Sequence, residues 1–106
     1  MLTPVEVKTP QDGGGYLVET LQMKLKILTR SRLREIIEQS QTGELSDDDI
    51  AREVALGWAD YVDEDGEEIP FSPDALTELL DNPFVPSAIA GAVVKMYSGE
   101  GEKAKN

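Results

Sequence analysis

The chain has no cysteine and no histidine, and aromatic residues make up only 6% of its 106 residues. Without these two residue types it has no thiol nucleophile, no disulfide, no Cys/His zinc site and no imidazole to transfer protons near neutral pH. Most hydrolytic and redox chemistry is therefore disfavoured. We expect a protein that is not an enzyme, with no catalytic residues, no cofactor and no metal ion.

Long apolar runs are also missing. No run approaches the roughly 20 residues that a membrane span needs, and the N-terminal sequence lacks the basic flank and apolar centre of a signal peptide. The length fits one domain with one core. We expect a soluble, cytoplasmic protein.

Basic residues are scarce: the chain has 10 basic and 21 acidic residues, and its net charge is −11. Such a surface repels phosphates, so we expect no binding to nucleic acid or membrane. The charges are unevenly placed: residues 44–68 contain eleven acids and one base, whereas residues 24–34 contain five bases and no acid. This segregation favours either steered association with another copy or a charged partner, or two solvated faces that keep the protein soluble.

The N-terminal pattern predicts an antiparallel hairpin over about residues 4–28. Val5 and Val7 alternate with polar residues, and Gly13, Gly14 and Gly15 supply a turn. Apolar residues of the second strand then recur with a period of two, which is typical of a half-buried strand. They are Leu17, Leu21, Met23, Leu25 and Ile27.

Two helices are predicted next. Thr29 or Ser31 can cap the first, which should run to about Gly43. Ser46, followed by three aspartates, is a clear start for the second. Apolar residues then recur at helical spacing and form one stripe, which predicts that this second helix continues to about Tyr61. The stripe consists of Ile50, Val54, Trp58 and Tyr61. Trp58 is then a core anchor, or alternatively an exposed tryptophan that binds a partner.

The acidic segment around Asp63 and Asp65 superficially resembles a calcium-binding loop. The match fails because Tyr61 and Ser72 would occupy its first and twelfth positions, which need carboxylates. We therefore interpret the segment as a tight Asp-Gly turn between Val62 and Ile69, with its acids in water.

Two further helices follow. Ser72 and Pro73 form one helix start, and Asn82 with Pro83 repeats the same pattern. The last helix has a small-residue waist around Gly91, which predicts a closely packed neighbour within the domain or from a second subunit. The predicted core anchors of the chain are Trp58, Ile50, Val54, Leu79, Leu80 and Ile89.

The fold class expected from these patterns is α+β. A single domain over residues 1–97 would pack an N-terminal antiparallel β-hairpin, at about 4–28, on about four α-helices, at about 30–97. Residues 98–106 offer no core residue and are predicted to form a disordered tail.

The order of elements in the C-terminal part resembles that of the tail assembly chaperones of long-tailed, siphovirus-type bacteriophages. The resemblance covers roughly residues 20–106 and depends on the succession of a helix ending in an aromatic residue, an acidic turn, a Pro-Phe-Ser-Pro helix entry, a short leucine helix and a basic tip. The matching segments are Gly57-Trp58, Asp63-Glu64-Asp65-Gly66, Ile69-Pro70-Phe71-Ser72-Pro73, Leu79-Leu80 and Ala104-Lys105-Asn106.

The resemblance implies a small chaperone, found in the bacterial host cytoplasm and absent from the mature virion. In that family the chaperone coats the tape measure protein, keeps it soluble and recruits tail tube protein. Tape measure protein, tail tube protein and further copies of the chain are therefore the expected partners. The family's genes commonly end in a slippery site, and Ala104-Lys105-Asn106 permits the heptamer A-AAA-AAC, so we expect a programmed frameshift there.

The family supplies no binding residue that transfers by position, so candidates come from residue chemistry alone. Partner-binding candidates are the basic residues Arg30, Arg32 and Arg34 and the last-helix residues Phe84, Val85 and Tyr97. Two other functions remain open. One is an acidic inhibitor that mimics nucleic acid, and the other is a structural tail or head-completion protein.

Overall fold

A computed structural model describes residues 2–98 and contains one three-stranded antiparallel sheet and four helices. The strands lie in the order β1-β2-β3. Their bounds are β1 Leu2–Pro10, β2 Tyr16–Leu25 and β3 Ala55–Ala59. The helices are α1 Arg30–Thr42, α2 Asp47–Val54, α3 Pro73–Leu80 and α4 Val85–Ser98. The predicted α+β class, with its N-terminal hairpin, is confirmed.

The hairpin pairs Leu2 with Lys24 at its base and Pro10 with Tyr16 beside the turn. Val5 and Val7 of β1 share the inner face of the sheet with Met23 of β2, and all three are buried. The alternation ends sooner than predicted. Ile27 lies two residues beyond Leu25, the last residue of β2, and is 79% exposed because the chain leaves the sheet before reaching it.

The predicted second helix is too long. Helix α2 ends at Val54, and the chain continues as β3, which pairs with the free edge of β2 through a bulge beside Lys24. Trp58 therefore lies opposite Met23 on a strand. The sequence spacing misled because four residues are one helical turn and also two strand periods, so Val54 and Trp58 share a face in either structure. Hydrogen bonds to the β2 edge decide between the two.

Local helix starts agree with the sequence patterns. Thr29 caps α1 and Gly43, at φ +86°, ends it. Ser46 forms a reciprocal capping box with Asp49 at the start of α2. Ser72 caps α3. Asn82 differs from expectation, because its side-chain oxygen accepts the backbone N–H of Phe84 within a turn and α4 begins only at Val85.

The core lies between the inner face of the sheet and helices α2, α3 and α4. Helix α4 packs against β1 and α2, and α3 packs against α4. Five of the predicted core anchors are buried there: Ile50, Val54, Leu79, Leu80 and Ile89. Trp58 is half-buried at the margin of the core, where its indole N–H donates to the carbonyl of Ile69 at 2.7 Å. Phe71 and Tyr61 pack edge-on against its ring.

The predicted tail lies, apart from Ser98 at the end of α4, outside the described residues, as does the Ala104-Lys105-Asn106 segment. Over residues 2–98, no helix combines the length and apolar character that crossing a membrane requires.

Candidate functional site: an apolar groove between two helices

Helices α1 and α4 are separated by an open groove of about 310 Å³. Helix α1 contacts the other elements only sparsely, in contrast to the close packing of α4 on α2 and β1. The groove is lined mainly by apolar and small side chains. They are Leu33, Ile36, Ile37, Ser40 and Gln41 from α1, Asp47 and Ile50 from α2, and Ser87, Ala90, Gly91, Val93 and Val94 from α4.

The floor of the groove is continuous with the hydrophobic core. Ile36, Ile50 and Val93 each contribute a side chain that is at most 4% exposed. Each lies on a different helix, so the floor is formed where α1, α2 and α4 converge. An occupant of the groove would therefore rest on packed, ordered side chains.

The α4 wall is built from the small-residue waist noted in the sequence. That waist was expected to receive a closely packed neighbour within the domain or from a second subunit. The alanines of the waist, Ala88, Ala90 and Ala92, pack against the core, but Gly91 has no close neighbour within residues 2–98, because an added Cβ would meet nothing within 4 Å. Ser87 and Val94 lie on the same side of α4 and are also exposed. At Gly91 the small residues leave the groove open and do not bring a second helix into close contact.

The α1 wall places two basic residues beside the apolar lining. Arg30, Arg34, Ile37 and Gln41 recur at i, i+4, i+7 and i+11, which puts them on one side of the helix. All four are exposed. Neither arginine forms an ion pair with any residue in the range 2–98. Two of the predicted partner-binding residues thus lie beside the groove with their charges unpaired.

Arg32 has a different role from the one predicted. It points to the other side of α1, where its guanidinium donates to the two carboxylate oxygens of Glu53 at 2.8 and 2.5 Å and contacts Glu35 at 3.4 Å. The hydrogen bond to Glu53 raises the pKa of Arg32 above its ordinary value, and the same bond lowers the pKa of Glu53. The pair joins α1 to α2, so Arg32 is not available to a partner.

The predicted last-helix residues are not brought together into a site. Val85 is only 1% exposed and belongs to the core, so its side chain cannot reach a partner. Tyr97 is half-buried, and its hydroxyl accepts the backbone N–H of Leu28 at 2.5 Å. Phe84 is 38% exposed in the turn before α4. None of the three lines the groove.

The acidic segment forms the tight turn that the sequence predicted. Val62 and Glu68 make an antiparallel bridge, and the backbone N–H of Gly66 donates to the carbonyl of Asp63. The Asp63 carboxylate accepts the backbone N–H groups of Asp65 and Glu67, both at 2.9 Å. Over the described part of the chain, no three acidic side chains are grouped in a way that could hold a metal ion.

Sequence reasoning missed the groove as a site, although part of its signal was present. Ile37 follows Leu33 and Ile36 at helical spacing in the sequence, yet it is 37% exposed. Val94 is an apolar residue on the exposed side of α4, one turn from Gly91. Apolar side chains next to small residues on two helix faces are the pattern that marks an unfilled contact.

Comparison of the chain with protein-family models, with curated proteins and with solved structures gave no match. The function must therefore be inferred from the residues and geometry of the chain itself.

Proposed function

We propose that the protein is a phage tail assembly chaperone that binds exposed apolar segments of the tape measure protein and keeps that long helical client soluble. The observation on which this depends is the open apolar groove between α1 and α4. Helix-in-groove contact is a common way of covering one apolar face of an amphipathic helix. Three of the sequence elements given above, the acidic turn, the Pro-Phe-Ser-Pro helix entry and the short leucine helix, support the same function, whereas Trp58 lies on β3 and not at the end of a helix.

The groove is suited to weak binding repeated many times. Its volume of about 310 Å³ is at the low end of ordinary ligand sites, which range from roughly 300 to 1,000 Å³. One such contact gives modest affinity, whereas several copies along one client add their contributions. The client would be covered by many chains in the host cytoplasm, which would then deliver it to the tail tube protein and leave before the virion matures.

The direct test measures aggregation of the tape measure protein encoded in the same genome. Light scattering of this client, diluted from denaturant, should fall when the chaperone is present. Val94→Glu places a charge in the groove wall and should abolish the effect. Val18→Glu is the matched control, because Val18 and Val94 are 48% and 47% exposed and Val18 lies on the hairpin, away from the groove. Equal loss of activity in both variants, or no effect of the wild-type protein, would contradict the proposal.

Mass spectrometry of purified virions separates this function from a structural one. A chaperone should be present in infected cells and absent from finished particles. Stoichiometric amounts in the particle would favour a tail or head-completion protein instead.

A further inference from the structure

We infer that the groove orients a bound amphipathic helix by its charges, with acidic side chains of the helix beside Arg30 and Arg34 and a basic side chain beside Asp47. The existence of a helical client rests on the proposed function. The direction of binding and the charge pattern of the bound segment rest on the groove itself.

The volume of the groove sets the number of apolar anchors. An apolar cavity of about 150 Å³ takes a benzene-sized group, so a groove of about 310 Å³ takes roughly two large side chains. Two anchors on one face of a helix are spaced i, i+3 or i, i+4, which corresponds to about 4.5–6 Å along the axis. Leucine or phenylalanine at such a spacing would cover Gly91 and Val94 on one side and Ile37 on the other.

Two arginines that are not among the lining residues, Arg30 and Arg34, border one end of the groove on the same side of α1 as Ile37. Arg30 and Arg34 are exposed, long and flexible, and within residues 2–98 neither has an ionic partner. They occupy the first turns of α1, where the unpaired backbone N–H groups of the helix add a partial positive charge. Guanidinium groups bind carboxylates through charge-assisted hydrogen bonds. Acidic side chains of an incoming helix are therefore stabilised at this end.

The other end is negatively charged. Asp47 lines the groove beside Ser40 and Gln41 and has no ion pair in the described chain. Helix α1 ends at Thr42, so its C-terminal carbonyl groups add a partial negative charge here, and the three aspartates in the first turn of α2 outweigh the partial positive charge of that helix's N-terminus. Arg34 and Gln41 are seven residues apart, about 10 Å along the helix. The sign of the potential thus reverses over two turns, and a helix inserted backwards would place like charges together.

The test uses two synthetic helical peptides of identical composition, each labelled with a fluorophore. Both carry two leucines four residues apart on an otherwise polar face. One has glutamates before the leucines and lysines after them, and the other has the two charged ends exchanged. The peptide with exchanged ends can restore the same charge contacts by binding with its backbone reversed, so affinity alone does not report orientation. A nitroxide at the N-terminus of each peptide therefore reports which end lies near the first turn of α1. The full chain should bind both peptides with their glutamates near Arg30 and Arg34, in opposite backbone directions.

Charge reversal of the rim provides the decisive variant. Arg30→Glu together with Arg34→Glu should invert the position of the nitroxide or weaken binding about three- to tenfold at low salt. Lys8→Glu together with Lys24→Glu is the matched control. It changes the net charge equally at exposed lysines of the hairpin, and should leave orientation unchanged.

Filling the groove tests its location. Gly91→Leu should abolish binding of both peptides, because its added side chain would occupy the groove. Gly91→Ala should retain binding and raise helix stability, since glycine is a poorer helix former than alanine. Binding that survives Gly91→Leu, peptides that bind in mixed orientations, or a dimer that excludes both peptides would each overturn the inference.

Failure of the inference and failure of the proposed function are distinguishable. Unoriented peptide binding alongside suppressed aggregation of the tape measure protein would reject only the direction of binding. Oriented binding without any effect on that client would leave the groove's polarity intact and reject the chaperone function.

Discussion

The two sides of helix α4 are both made of apolar and small residues, yet within residues 2–98 only one of them is closely covered by other elements. Val85 and Ile89 are at most 1% exposed. Ser87 and Gly91 on the other side face the groove and are exposed. The difference arises because β1 and α2 pack closely on the first side, whereas α1 lies across the second without filling it. Composition alone does not distinguish a core face from a binding face.

Two side-chain truncations on α4, one on its buried side and one on its groove side, should give the largest difference in stability. Ile89→Ala removes a fully buried side chain and should lower the free energy of unfolding by about 2–5 kcal/mol. Val94→Ala removes a half-exposed side chain from the groove wall and should change it by less than about 0.5 kcal/mol. Urea denaturation followed by tryptophan fluorescence measures both. Similar losses in the two variants would mean that the α1 side is packed as tightly as the core.

Features that depend on nearby residues could be predicted from the sequence, and features that depend on distant residues could not. Helix starts at Thr29, Ser46 and Ser72 depend on hydrogen bonds within three or four residues, so local patterns sufficed. Strand β3 could not be predicted in this way, because its existence depends on the free edge of β2, some thirty residues earlier. The hairpin needed only the alternation and the glycine turn.

The groove exists because of where α1 lies, and that position depends on contacts between residues far apart in the sequence. The position of α1 is set by the ion pair between Arg32 and Glu53 and by the burial of Ile36, and neither follows from periodicity. Arg30, Arg32 and Arg34 looked equivalent in the sequence. The structure separates them because residues two apart on a helix point to different sides.

A smaller effect should come from the caps of α1 and α2, both of which contribute lining residues to the groove. Ser46→Ala removes the capping box of α2, whose residues Ile50 and Val54 lie in the core, and should lower the global free energy of unfolding by about 1 kcal/mol. Thr29→Ala removes the cap of α1 at a similar local cost. Because α1 is less firmly packed, this second loss should appear as faster amide hydrogen exchange in α1.

Hydrogen exchange and urea denaturation together distinguish local opening of α1 from unfolding of the whole core. We expect Thr29→Ala to leave exchange in β1, β2 and α4 nearly unchanged. If Thr29→Ala instead speeds exchange throughout the chain as much as Ser46→Ala does, α1 unfolds together with the core and is not a separately opening wall of the groove.

The smallest expected effect concerns the pH dependence of the ion pair that holds α1 to α2. The pKa of Glu53 is lowered, first by the hydrogen bond from Arg32. A carboxylate whose pKa is lower in the folded state stabilises that state fully above its unfolded pKa, near 4.5, and loses this contribution as the pH falls through the folded value. Glu53→Gln should therefore be less stable than wild type near neutral pH, and the difference should shrink below about pH 4.5.

Glu35→Gln is the control for this prediction, because Glu35 meets the same guanidinium at 3.4 Å and its side chain is 61% exposed. Solvent screens such an exposed pair, so its removal should change stability less at every pH. The measurement is the urea midpoint of each variant between pH 3 and pH 7. A difference between wild type and Glu53→Gln that grows on acidification would have the wrong sign for a lowered carboxylate pKa. A difference near zero at every pH would mean that α1 is held in place mainly by the burial of Ile36 and not by the ion pair.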